Sequence, residues 1–580
     1  MEFGTMKKAL IATAVIAAGV TAYLYQQDST SSNHAQVPQV SELAYVPADT
    51  LFFAGQLTRF PVKQYLTYFS PSYPDDLSAE LELELGQSKE PAARFIASLS
   101  RQYAQAVASP DQFVETFGLA DQMKGLFYMV GLLPVLRYEI AQPDALWKML
   151  EKAEQESGLV AKKEQLKGVD VTKYTLIAEN DAELELVVSV NNGWATITAN
   201  TNFNQPADLL QALAIEKPVQ SLAQTDTLQT MTTQHQFDAK YLGFVNHVAL
   251  INGLTGKDDN QFSQMLNQLG GNEIDVEMAE LRTEACQNDF ADIANHWPRT
   301  AFGTQKMVIT NESVELNAKM VIESNSTVLK ALASMRGFLP DFTTSAQNKI
   351  ASIAFGIDAA KLSPAVTSIW TDFTEATYQC EPLVSAQQQI KQTNPMMLTM
   401  ATSMATGVKG VSLSLLDFAL SEQQGQPNID KLDGIVTISA ANPVALFNSV
   451  KSFYPPLMDV KLPADGSSIK LEQYIDLPLQ LSQSLELAVK GEHLVLYRGQ
   501  QAQTLADSLT NQALDTNGFS NLAVDYQAFF NPVFQFLETT GETIPPELEM
   551  LKEANMQLYF NTDFSTKGIE FSSELRTNSL

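Results

Sequence analysis

The residues of this chain best suited to proton transfer or metal binding near neutral pH are its five histidines, His34, His235, His247, His296 and His493. No two stand in an HxH or HExxH spacing, so the sequence holds no local zinc motif. Nucleophile and phosphate motifs are equally thin. There is no GxSxG elbow and no GxGxxG opening a βα unit, and Gly253-Leu254-Thr255-Gly256-Lys257 lacks the glycine spacing of a phosphate loop and runs on into Asp258. Ser467-Ser468-Ile469-Lys470 fits S-x-x-K, but it falls at a turn before a strand and not on the helix that chemistry needs. Asp258-Asp259-Asn260 and the pair Asp289 and Asp292 offer oxygen ligands for calcium, yet they lack the alternating ladder of a calcium loop and read as solvated acidic turns. His296-Trp297-Pro298 is either a binding corner or an aromatic anchored beside a disulfide. The expectation is a non-enzymatic protein with no cofactor and no metal.

Two further groups carry chemistry of a different kind. Cys286 and Cys380 are the only cysteines, and in an oxidising compartment such a pair is expected to form one disulfide. Closing a loop of about 95 residues stabilises a fold by up to about 4–5 kcal/mol in the chain-entropy picture. The alternative, a redox or nucleophilic thiol, has no CxxC partner and no basic neighbour to support it. Met396, Met397, Met400 and Met404 recur at helical spacing in the uncharged stretch Gln392 to Val408. Such a stripe is either core or an adaptable apolar surface for a lipid tail or a client segment.

The elements that position these residues repeat. Pro143, Ala145, Leu146 and Trp147 recur as Pro443, Ala445, Leu446 and Phe447; Leu184 to Val188 recur as Leu485 to Val489; Ala207-Asp208-Leu209-Leu210 recur as Ala506-Asp507-Ser508-Leu509, all at offsets of 299 to 301. Each half opens on a strand, at Leu51 to Gly55 and at Ser352 to Gly356, followed by a helix-rich insert and a proline-initiated helix. In the hairpin that follows, Leu184, Leu186, Val188 and Val190 alternate with Glu183, Glu185 and Ser189, and Asn191-Asn192-Gly193 makes the turn. Period-two alternation means antiparallel strands with one wet face. The expected class is α+β, two similar lobes from an internal duplication, each an antiparallel sheet with helices packed on one side. The expected boundaries are 43–327 for lobe one, 328–349 for an inter-lobe linker and 350–580 for lobe two.

Ahead of the lobes, residues 1–5 read as a cloning scar and 6–25 as a signal peptide or signal anchor. Lys7 and Lys8 precede seventeen uncharged residues, Ala9 to Tyr25, just long enough for a helical span. Residues 26–42, rich in Ser and Gln, read as a flexible tether. The 580-residue chain carries 66 acidic against 37 basic residues, a formal net charge of −29 that disfavours nucleic acid and anionic lipid head groups.

The stretch Leu43 to Leu57, LAYVPADTLFFAGQL, resembles the start of an uncharacterised family of exported bacterial envelope proteins, a domain of unknown function opening on a VPADT-like motif. That resemblance implies an envelope location and no reaction. The resulting expectation is a scaffold or assembly factor in the bacterial inner membrane, held by its N-terminal anchor with its bulk in the periplasm, or a soluble periplasmic protein after signal cleavage. Its two-lobed cradle would hold an unknown envelope protein. The alternative is a carrier for a lipid-like ligand, and a hydrolase with a site not visible in sequence stands third.

Overall fold

The structure is a computed structural model that describes residues 36–68, 85–107, 109–179, 182–310, 312–345, 347, 349–393, 395, 405, 407–423, 426–475, 485–541, 544 and 555–578. Its contacts cluster into two compact units, one of residues up to Asn311 together with Gln379–Pro382, the other of Glu312–Tyr378 together with Leu383 onward.

The first unit holds β1 (Phe52–Phe60), β2 (Met123–Val130), β3 (Leu133–Glu139), β4 (Lys162–Leu166), β5 (Val169–Glu179), β6 (Ala182–Asn191), β7 (Trp194–Thr201), β8 (Tyr241–Asn246) and β9 (Arg299–Ile309). Its pairing order is β9-β8-β1-β2-β3-β7-β6-β5-β4, antiparallel throughout. The second unit holds β10 (Ser313–Glu323), β11 (Ala351–Phe355), β12 (Val408–Gln423), β13 (Gln426–Ala440), β14 (Ile469–Lys470), β15 (Glu486–Lys490), β16 (His493–Arg498), β17 (Ser520–Asp525), β18 (Met556–Phe564) and β19 (Gly568–Asn578). Here the order is β10-β19-β18-β17-β11-β12-β13-β16-β15-β14, again antiparallel.

The expected class of two lobes, each with its own one-sided sheet, is corrected on two counts. All 19 strands among the described residues belong to a single sheet, and what the repeat marks is a shared strand order within it, β8-β1-β2-β3-β7-β6 against β17-β11-β12-β13-β16-β15. Helices also lie on both faces. Neighbouring side chains of a strand point to opposite sides. On β13, Ile435 packs with Ala502 and Ala506 of the helix Gln500–Ser508, while Ile438 packs with Phe447 of the helix Pro443–Lys451. In the first unit Val171 packs under Leu209, and Tyr174, on the other face of β5, stacks on Phe95 at 4.6 Å.

Local chemistry explains the joints. Pro143, Pro206 and Pro443 start their helices where a missing N–H costs nothing. Asn192 and Gly193, with φ of 52° and 78°, form the turn between β6 and β7, a left-handed pair that suits those two residue types. From Val37 the chain is already part of the core: Val40, Leu43 and Val46 are buried with Leu57, Leu126 and Met231.

The expectation of an inner-membrane anchor is also corrected. No helix among the described residues is long and apolar enough to cross a membrane. Pro91–Val107, one of the longest, carries Arg94, Arg101, Gln102 and Gln105 among its 17 residues. Residues 6–25 lie outside the described residues.

Candidate functional site

The sequence-predicted residues fall into three groups. Cys286 and Cys380 are joined in a buried disulfide with their Cα atoms 4.3 Å apart. Its surroundings hold it in place: the Cys286 N–H donates to the Thr283 hydroxyl that caps its helix, and the Gln379 and Cys380 N–H groups donate to Asp289 Oδ2 at 2.7 and 2.8 Å. Asp289, weighed above as a calcium ligand, is therefore part of the disulfide's support. Met396, Met397, Met400 and Met404 lie outside the described residues.

The polar candidates do not converge. His493 is buried, with Nδ1 on the Ser439 hydroxyl and Nε2 on the Gln512 carbonyl, and desolvation holds it below the ordinary imidazole range. His247 bridges the Trp297 carbonyl and the Thr300 hydroxyl, so the His-Trp-Pro corner serves to join a helix start to β9. Ser467 donates to Asp465 in a turn, and Lys470 lies on the two-residue β14. Asp258 and Asp259, with Asp49, Asn246, Lys257 and Asn260, line a cleft of about 630 Å³. Asp258 accepts from Asn252 at 2.7 Å, and burial pushes the Asp49 carboxyl up from 3.8. Among the described residues no three His, Cys, Asp or Glu side chains are grouped to hold a metal ion.

A different feature stands out: the sidedness of the sheet in the second unit. Ile353 on β11 faces Leu413 on β12 and Leu522 on β17; Leu413 faces Val436 on β13, and Leu522 faces Phe560 on β18. These five neighbours make one row across five strands, and each is well exposed: Val436 38%, Leu413 52%, Ile353 37%, Leu522 41%, Phe560 46%. The next row adds Phe355 beside Val411, also exposed, and Phe571 beyond Thr562. The rows through Ala351, Ile353 and Phe355, followed from β13 to β10, carry only Gly, Ala, Val, Ile, Leu, Met, Phe, Ser and Thr. This face bears no charge there.

The opposite face is polar and covered. Ser352 and Ser414 share a hydrogen bond of 2.7 Å, Ser412 and Thr437 one of 2.6 Å, and all four are buried. The segment from Gly337 to Thr343 lies over them. The Phe338 N–H donates to the Lys409 carbonyl, the Phe338 ring rests on His493, and Asn521 donates to the Thr343 hydroxyl. A Cβ on Gly410 would sit 2.0 Å from the Phe338 carbonyl oxygen, so only glycine admits that approach. Further along, charges on this side are paired: Lys319 with Glu570 at 2.6 Å, Arg576 with Glu315 at 3.1 Å and Arg336 with Asp563 at 2.6 Å.

Large aliphatic and aromatic side chains thus face out, and small hydroxyl side chains face in. Sequence reasoning finds the strand Ser352 to Gly356 but not that Ile353 and Phe355, with Val411 and Leu413 beside them, face outward. The signal it passes over is that the intervening residues are small and form matched hydroxyl pairs, which satisfy one another when buried. Exposed apolar side chains scattered singly are ordinary, whereas a contiguous row marks an interaction surface. No protein-family model matches the chain, and no curated protein or solved structure matches it.

Proposed function

We propose that the protein is a non-enzymatic binding protein that holds a partner polypeptide on the apolar face of β13, β12, β11, β17 and β18. The observation that supports this reading is the exposed, uncharged row from Val436 to Phe560. Small molecules are usually held in concave sites that cover most of their surface, and an open sheet face offers no such enclosure. A polypeptide can cover a broad face, and the aromatic and aliphatic anchors here are of the kind that dominate protein interfaces.

The reading is tested by placing a photo-crosslinking residue at Leu413, at Ile353 or at Phe560 in cells that make the protein. Val219, almost fully exposed in the first unit, serves as the control position. The expected result is one adduct of the same mass from all three sheet positions and none from Val219. Adducts identical at all four positions, or none at the three, would refute a dedicated docking face.

A further inference from the structure

We infer that the polypeptide on this face is an amphipathic α-helix with a basic outer surface, lying across the strands beside the protein's own helix Pro443–Lys451. The inference rests on the docking reading above and adds the shape and charge of the occupant.

The shape follows from how the sheet treats the same face next door. Phe447, from the helix Pro443–Lys451, packs over Ile438, Leu494 and Leu496 of β13 and β16. Val436, two residues back along β13 and on the same face, is exposed, and the apolar row continues from it to Phe560. One slot is covered by a helix and the adjoining slot is open. Four inter-strand gaps of about 4.8 Å make the row about 19 Å long, the length of about 13 helical residues. Such a helix offers a side chain to the row at positions i, i+3 or i+4, i+7 and i+11. An added strand is the other common way to dock a peptide on a sheet, but it needs a free edge. Here every strand of the row is hydrogen-bonded on both sides.

The charge follows from the rest of the molecule. The face itself is neutral, so the field that a docking helix meets is that of a chain with net charge −29. Such a field draws in a helix whose outer side carries Lys or Arg, and it opposes a second copy of the chain.

The test uses the whole protein and three fluorescent 14-residue peptides followed by anisotropy. One has Leu at helical spacing with Lys elsewhere, one replaces each Lys by Glu, and one has the Leu/Lys composition in strict alternation. The Lys helix should bind at least about tenfold tighter than either of the others and weaken as salt is raised. Leu413→Asp and Leu522→Asp should each weaken it about tenfold, while Val219→Asp leaves it unchanged. Both sheet variants add negative charge, so a purely electrostatic association would tighten in them. Both positions are exposed, so the fold should survive, and either variant suffices if the other unfolds. Equal binding of the alternating peptide overturns the helix while leaving the docking face in place. Equal binding of the Glu helix overturns the charge. Binding insensitive to both substitutions, no binding by any peptide, or capture by neutral phosphatidylcholine vesicles through the same residues overturns the inference together with the polypeptide reading.

Discussion

Asp238 shows how single residues in this chain trade solvation for local order. Its Oδ1 accepts from the Lys240 N–H at 2.9 Å, which shapes the turn into β8. Burial is the larger effect and pushes its carboxyl up to about 6 from 3.8. Between about pH 4 and 6 the folded protein then holds a proton that the unfolded chain releases, so this group's contribution to stability falls as pH rises through that window. Asp238→Asn keeps an acceptor oxygen for the turn and carries no charge. At pH 7 the variant should be more stable than wild type by up to about 3 kcal/mol, and the gap should close near pH 4. Denaturant melts of both proteins at the two pH values check this; a pH-independent gap would mean the carboxyl is not held protonated by the fold. His493 titrates in the opposite sense, since desolvation lowers it, but it is common to both proteins and cancels in the comparison.

At the scale of elements, a buried carboxylate joins strand to helix across 68 residues of sequence. Asp433 on β13 accepts from the Gln501 and Ala502 N–H groups at 3.0 and 2.8 Å, capping the helix Gln500–Ser508 from outside it. Gly499, at φ 95°, is what that approach requires, because a Cβ there would sit 2.3 Å from the Asp433 carboxylate carbon. Asp433→Ala should cost about 1–2 kcal/mol in denaturant melts and Asp433→Asn clearly less; equal losses would show that the cap is not what the carboxylate supplies. Nothing local in the sequence announces this cap, because donor and acceptor are brought together only by the pairing of β13 with β16. The recurrence of elements was legible, by contrast, since the proline-led helix and the alternating hairpin are local signals. So was the pairing of Cys286 with Cys380, once exhausted of alternatives by count. The helices on both faces were not legible. Ile435 and Ile438 are both apolar, and only the pleat separates the helix each one meets. The open row was not legible either, because apolar alternation reports which side chains share a face and not which face water reaches.

For the molecule as a whole, the single sheet of 19 strands matters more than any cavity. Most apolar faces within it are closed by the chain's own helices, as Phe95 does for Tyr174 and Phe447 for Ile438. The row from Val436 to Phe560 is left open on a chain whose net charge of −29 opposes the approach of a second copy. A protein so charged can carry an exposed apolar face without self-association, which is the condition for keeping that face ready for another molecule. The most direct check is carbene footprinting of the purified, disulfide-intact protein with residue-level readout by mass spectrometry. Heavy labelling of Ile353, Leu413, Val436, Leu522 and Phe560, with Ser352, Ser412 and Ser414 protected, is the predicted result. Protection of the five apolar residues in the isolated chain would contradict it, because a face that the protein already covers is not open to a partner.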